Sequence, residues 1–150
     1  LSYDQTGELS NRIKALRTVF LVPELNKVAI LEALKKGRMY AVRGNKSSQF
    51  ILDKFIVSDS LSGAYAIMGE EIKLEGKPVI GISGHFLKER AKSVKIKLIR
   101  NGEIIKTFEV DSPFELSYQD EFERVGAKHY YRLEIHSAGL LLVTNPIFVK

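Results

Sequence analysis

The sequence predicts a mainly β fold, an antiparallel β-sandwich preceded by two short α-helices. Three observations carry that prediction. From Arg38 onward, apolar residues recur at every second position in short runs, the period of a half-buried strand. Asn101-Gly102 separates two such runs. A two-residue type I′ hairpin needs positive φ at both central positions, which Asn and Gly tolerate best. Before Gly37, apolar residues recur every three or four positions instead, the period of a helix.

Leu9, Ile13, Leu16 and Phe20 fall at helical spacing and predict a first amphipathic helix. Pro23 interrupts the chain and pushes Val22 towards extended geometry. The second helix has its own signals. Asn26 can cap it by accepting a free N–H of the first turn. Val28, Leu31 and Leu34 form its expected buried stripe, and Ile30 widens it. Glu32 precedes Lys35 and Lys36 in the favourable order for helix-surface ion pairs. Gly37 supplies a left-handed stop. Met39 to Val42 reads as extended. The polar residues 43–48 divide a helical segment, 1–43, from a sandwich domain, 44–150.

The strands follow. Residues 49–57 are apolar apart from a break at Asp53-Lys54, and 64–68 and 72–74 are weaker candidates. In 79–86, Gly81 and Gly84 signal a bulge or a close backbone approach. Val94, Ile96 and Leu98 alternate with Lys95 and Lys97. The Asn-Gly turn sets Arg100 against Glu103, Ile99 against Ile104 and Leu98 against Ile105. Continued without interruption, it would oppose Lys97 to Lys106 and put Phe108 on the lysine face. A bulge or an early loss of register is therefore expected between Lys106 and Phe108. Phe114, Leu116 and Tyr118 alternate next, then Tyr131, Leu133 and Ile135. A Ser137-Ala138-Gly139 turn leads into 140–143, and 147–149 closes the chain. Pro146 between them has no N–H to donate and belongs at a bulge or sheet edge. Many short strands joined by turns make the sandwich immunoglobulin-like.

Composition narrows the chemistry. The 150 residues amount to one ordinary domain, or a small domain with a helical remnant. The chain has no cysteine, which excludes disulfides, thiolate-bound zinc, iron–sulfur clusters and a cysteine nucleophile. No apolar run is long enough for a membrane span, and Leu1-Ser2-Tyr3-Asp4 lacks the basic start and apolar core of a secretory signal. A cytoplasmic location is expected, with no membrane partner. Because Leu1 is not Met, an excised or processed chain is expected. The net charge of +5 is spread along the chain. Its densest stretch, Lys88 to Arg100, reads as a solvated strand face, so nucleic acid is not the expected partner.

No complete catalytic or metal centre can be assembled. His85, His129 and His136 lack any metal-ligand spacing, and the last two, seven apart on a strand, point to opposite faces. Glu70-Glu71 and Asp120-Glu121 are sequential pairs, and neighbours in a strand point apart. Asp120, Glu121 and Glu123 could collect a calcium ion but lack EF-hand spacing. Ser83 and His85 share one side of a strand without a third orienting group. Tyr130 and Tyr131 suggest a ligand platform, against the commoner reading of half-buried strand tyrosines.

Several strings, in order, resemble one family. Arg17-Thr18-Val19-Phe20-Leu21-Val22-Pro23 and the run Ala29 to Ala41 resemble the end of the barrel in polymerase and histidinol phosphatase (PHP) domain proteins. The run Leu98 to Ile105, Tyr130-Tyr131-Arg132-Leu133 and Asn145-Pro146-Ile147-Phe148-Val149 resemble the β domain that ends such proteins. The family hydrolyses phosphoesters with divalent metals held by His and Asp/Glu residues. None of those ligand motifs occurs here, so the resemblance transfers no catalytic, cofactor or metal residue. It implies a non-catalytic C-terminal accessory domain of a metal-dependent phosphoesterase, whose partner is the N-terminal barrel and whose divalent metal sits there. Arg38, Tyr40 and Arg43 lie where helix becomes sandwich and are the candidates for the domain junction. The helices also offer a surface for self-association. The alternative is a sandwich that binds carbohydrate, nucleic acid or protein.

Overall fold

A computed structural model describes residues 16–44, 49–88, 92–121 and 128–150. Among them are two sheets and one helix, α1 (Lys27–Lys36). The second predicted helix is therefore present. The first is corrected where it can be seen: Leu16–Phe20 is strand β1, paired antiparallel with β2 (Met39–Gly44). Leu9 and Ile13 lie outside the described residues. The physical reason is local. Thr18, Val19 and Phe20 favour strands, and a four-residue apolar spacing also fits a period of two. No described helix is long and apolar enough to cross a membrane.

The larger sheet is built around β10 (His129–Ser137). On one side β10 pairs with β7 (Ser93–Arg100), which pairs with β8 (Glu103–Asp111). On its other side β11 (Leu140–Thr144) and β12 (Ile147–Val149) lie end to end. Asn145-Pro146 occupies the gap between them, where a residue without an N–H costs no ladder bond. β2 continues the sheet beyond β11, β1 forms its edge, and the short β5 (Glu71–Ile72) runs parallel to β12. The boundary expected after residue 43 thus falls inside β2, a strand hydrogen-bonded into the sandwich. The smaller sheet has the order β4 (Tyr65–Ile67), β3 (Phe50–Asp59), β6 (Pro78–Phe86) and β9 (Phe114–Gln119).

Two bulges reconcile sequence with core. In β3 the register shifts between Leu52 and Lys54, so Phe50 and Leu52, then Phe55 and Val57, all reach the interior. In the β7–β8 hairpin, Asn101 (φ 50°) and Gly102 (φ 91°) form the expected turn. The bulge comes earlier than the sequence suggested, at Ile105, because Leu98 pairs with Lys106 instead of Ile105. That placement sets Lys97 opposite Thr107 and brings Phe108 onto Ile96 and Val110 onto Val94. One inserted residue removes the lysine–lysine pair and returns both apolar side chains to the core face.

The two sheets enclose one core, including Ile80 and Ile82 of β6, Ile96 and Leu98 of β7, and Leu133 and Ile135 of β10. Burying each such side chain contributes roughly 1.5–3 kcal/mol. Gly84 is required by packing, since a Cβ there would lie 2.5 Å from the Phe50 ring. One end is closed by a polar tie between the sheets. Asp120, buried just after β9, accepts from Arg100 Nη1 at 2.6 Å and from the Tyr131 hydroxyl at 2.8 Å. Burial first, then the Asp120 carboxylate, pushes the Tyr131 hydroxyl pKa far up, so it stays a donor. Asp59 closes the β3–β4 turn by accepting from Ser62 and from the Gly76 N–H.

Candidate interaction site at helix α1

Helix α1 is delimited by its sequence. Asn26 Oδ1 accepts the Ala29 N–H at 2.8 Å. Gly37 takes the left-handed conformation (φ 70°). The Arg38 N–H then returns to the Ala33 carbonyl at 2.9 Å, and the Gly37 N–H to Leu34 at 3.2 Å, satisfying carbonyls that would otherwise be orphaned.

The C-terminal end of α1 is clamped to the sandwich. Asn145 Nδ2 donates to the Gly37 carbonyl at 2.9 Å. Arg38 Nη2 donates to Glu70 Oε1 at 2.5 Å, and Glu70 Oε2 accepts the Ile67 N–H at 3.1 Å. Gly69 lies directly against the last turn, where a Cβ would stand 1.7 Å from the Lys36 carbonyl oxygen. Its φ of +81° also suits only glycine well.

That clamp fixes which side of α1 faces inward. Ala33 is buried, and Ala29 and Ile30 are half-buried. The expected buried stripe is corrected: Val28 is 71% exposed, Leu31 44% and Leu34 50%, and Leu25 just before the helix is 89% exposed. Small alanines allow close approach, so the docked helix turns them to the body and leaves the larger apolar residues outside. Leu21, Pro23, Val28, Ala29 and Arg38 border a cleft of about 270 Å³ beneath the helix.

The three junction candidates do not share a face. Arg38 is part of the clamp. Tyr40 is in the core, its hydroxyl accepting the Leu52 N–H at 3.5 Å; burial pushes its pKa up. Arg43 is exposed on the outer sheet face, between Leu16 and Leu141. Sequence reasoning did not connect Gly69, Glu70 and Asn145 with the helix. Gly69-Glu70 and Asn145-Pro146 are turn signals, but nothing local says that they meet the helix.

The remaining candidates are dispersed. Glu70 turns to Arg38, whereas Glu71 pairs with Lys128 and Lys150. Lys128 first, and then Lys150, hold the Glu71 carboxyl down to about 2. Asp120 is occupied by Arg100 and Tyr131, Glu121 pairs with Lys77, and Glu123 lies outside the described residues. His85 Nδ1 is 2.7 Å from Asp53 Oδ2, a partner created by the β3 bulge. No described hydrogen bond joins that pair to Ser83. His129 adjoins Asn101 at one end of β10, while His136 lies near the other, beside Glu134. Tyr131 points into the core and Tyr130 packs edge-on against Phe148, so the two rings form no common platform. Among the described residues, no three His, Asp or Glu side chains converge as metal ligands. No protein-family model matches the chain, and no curated protein matches it.

Proposed function

We propose that the chain is a non-catalytic accessory domain of a PHP-like metal-dependent phosphoesterase, seated against the catalytic barrel through α1. The observation that carries the reading is the clamped helix. Its C-terminus is held by the sandwich, and its larger apolar side chains are turned outward. An exposed apolar stripe on a preset helix is the surface a domain partner would cover. Arg38 belongs to this junction through its support of the helix end. In this reading, phosphoester chemistry and its divalent metal belong to the barrel.

The reading includes an immunoglobulin-like topology. Strands β3-β6-β9 face β8-β7-β10-β11, and the chain passes from the smaller sheet to the larger at β4–β5, β6–β7 and β9–β10. Tyr131, near the start of β10, donates its hydroxyl back to the Asp120 carboxylate, a side-chain counterpart of the backbone bond of a tyrosine corner.

Two measurements test the proposal. The purified chain is incubated with p-nitrophenyl phosphate and its diester in Mn²⁺ or Zn²⁺, and no metal-dependent turnover is expected. Chelator-sensitive turnover by the chain alone would overturn it. The coding sequence upstream of Leu1 should encode an H-x-H segment and further His and Asp ligands; an unrelated upstream sequence would equally sink it.

A further inference from the structure

We propose that β1 is a self-docking edge, through which two copies of the chain continue one sheet across a two-fold axis at Thr18. The argument begins with hydrogen-bond direction. Leu21 donates its N–H to the Arg38 carbonyl at 2.9 Å, and the register pairs Val19 with Tyr40 and Arg17 with Val42. Antiparallel pairs alternate between bonded and non-bonded positions, so Arg17, Val19 and Leu21 spend their backbone groups on β2. Leu16, Thr18 and Phe20 therefore point theirs at the open edge. Among the described residues, no strand pairs with that side of β1.

This edge is complementary to itself. A two-fold at Thr18 sets Leu16 against Phe20 of the second copy, Arg17 against Val19, and Thr18 against Thr18. Each outward N–H and C=O of Leu16, Thr18 and Phe20 then meets a partner of the opposite kind. Leu16, 64% exposed, gains an apolar neighbour. No arginine faces an arginine, and paired threonines are a favourable cross-strand combination. The isologous geometry closes at two copies, as a two-fold contact must.

Three of the other edges carry protections that differ from β1. β8 carries the bulge at Ile105 and the charges of Glu103, Lys106, Glu109 and Asp111. Edges β4 and β5 are three and two residues long. Bulges, charges and shortness are the usual devices against edge-to-edge pairing. β1 pairs with β2 without a bulge and contains no proline.

The test is the association of the full chain by analytical ultracentrifugation, from micromolar to millimolar concentration. The unmodified chain should form a dimer. Thr18→Pro removes an N–H that β2 does not use, and edge positions of that kind tolerate proline. It should weaken the dimer by about tenfold or more while leaving the fold intact by circular dichroism. Thr18→Lys should also weaken it, by opposing two like charges, and an equimolar mixture of Thr18→Lys with Thr18→Glu should restore a mixed dimer. A chain that stays monomeric throughout would overturn the proposal, and so would a dimer that both Thr18→Pro and Thr18→Lys leave unchanged. Should proline disturb the fold, the lysine–glutamate mixture decides alone.

Discussion

Gly69→Ala probes the contact that seats the helix. The added methyl would stand 1.7 Å from the Lys36 carbonyl oxygen and 2.8 Å from two backbone carbons of the same turn. Those atoms are backbone, held by the Gly37 cap, so no side chain can swing aside. The alanine must also hold φ near +81°. Positive φ in a non-glycine residue costs about 1–2 kcal/mol. Moving the helix end outward to admit the methyl would break the Asn145–Gly37 hydrogen bond, roughly 0.5–1.5 kcal/mol. The partly exposed Arg38–Glu70 pair adds at most about 1 kcal/mol after solvent screening. The expected loss is about 2–4 kcal/mol from these costs together. Gly63→Ala is the matched control, since Gly63 has φ +70° with nothing within 4 Å of its added Cβ. It should show the φ cost alone. Urea unfolding of both variants, followed by circular dichroism and intrinsic tyrosine fluorescence, gives the difference as a change in midpoint at constant slope. If Gly69→Ala loses no more than Gly63→Ala, the close approach does not hold the helix.

Other consequences follow from the same contacts. Tyr131→Phe should cost about 1.5–3 kcal/mol in urea unfolding, because it removes a hydrogen bond to the buried Asp120 carboxylate; a loss below about 0.5 kcal/mol would show that the tie between the sheets is slack. Leu31→Ser should change stability by only about 0.5 kcal/mol, since that side chain lies on the open stripe; a loss near the 2–5 kcal/mol typical of a core leucine would place it inside. Glu71 contributes stability that is complete above the ordinary carboxylate value and is lost as pH falls towards its folded value of about 2. The unmodified chain should therefore lose more stability than Glu71→Gln between about pH 5 and 2, and parallel curves would remove Glu71 from the acid response.

Much of the architecture was legible in the chain because its signals are local. Asn101-Gly102 specifies its own turn, the alternation through Val94, Ile96 and Leu98 its own buried face, and Asn26 and Gly37 the two ends of α1. Beyond Gly102, pairing geometry alone called for a bulge or an early loss of register. Only the opposing sheet selected Ile105 for it, since what matters is that Phe108 and Val110 reach the shared interior. The spacing of Leu16 and Phe20 fitted a helix and a strand equally, and β2 decided between them. For the candidate site the division is sharper. The sequence by itself determined that a capped amphipathic helix ends at Gly37. Which side of that helix faces out was decided in three dimensions, by Gly69, Glu70 and Asn145, the last of them 108 residues from the glycine it holds. Periodicity records that an apolar stripe exists, but only the partner backbone determines whether that stripe or the alanines beside it is buried.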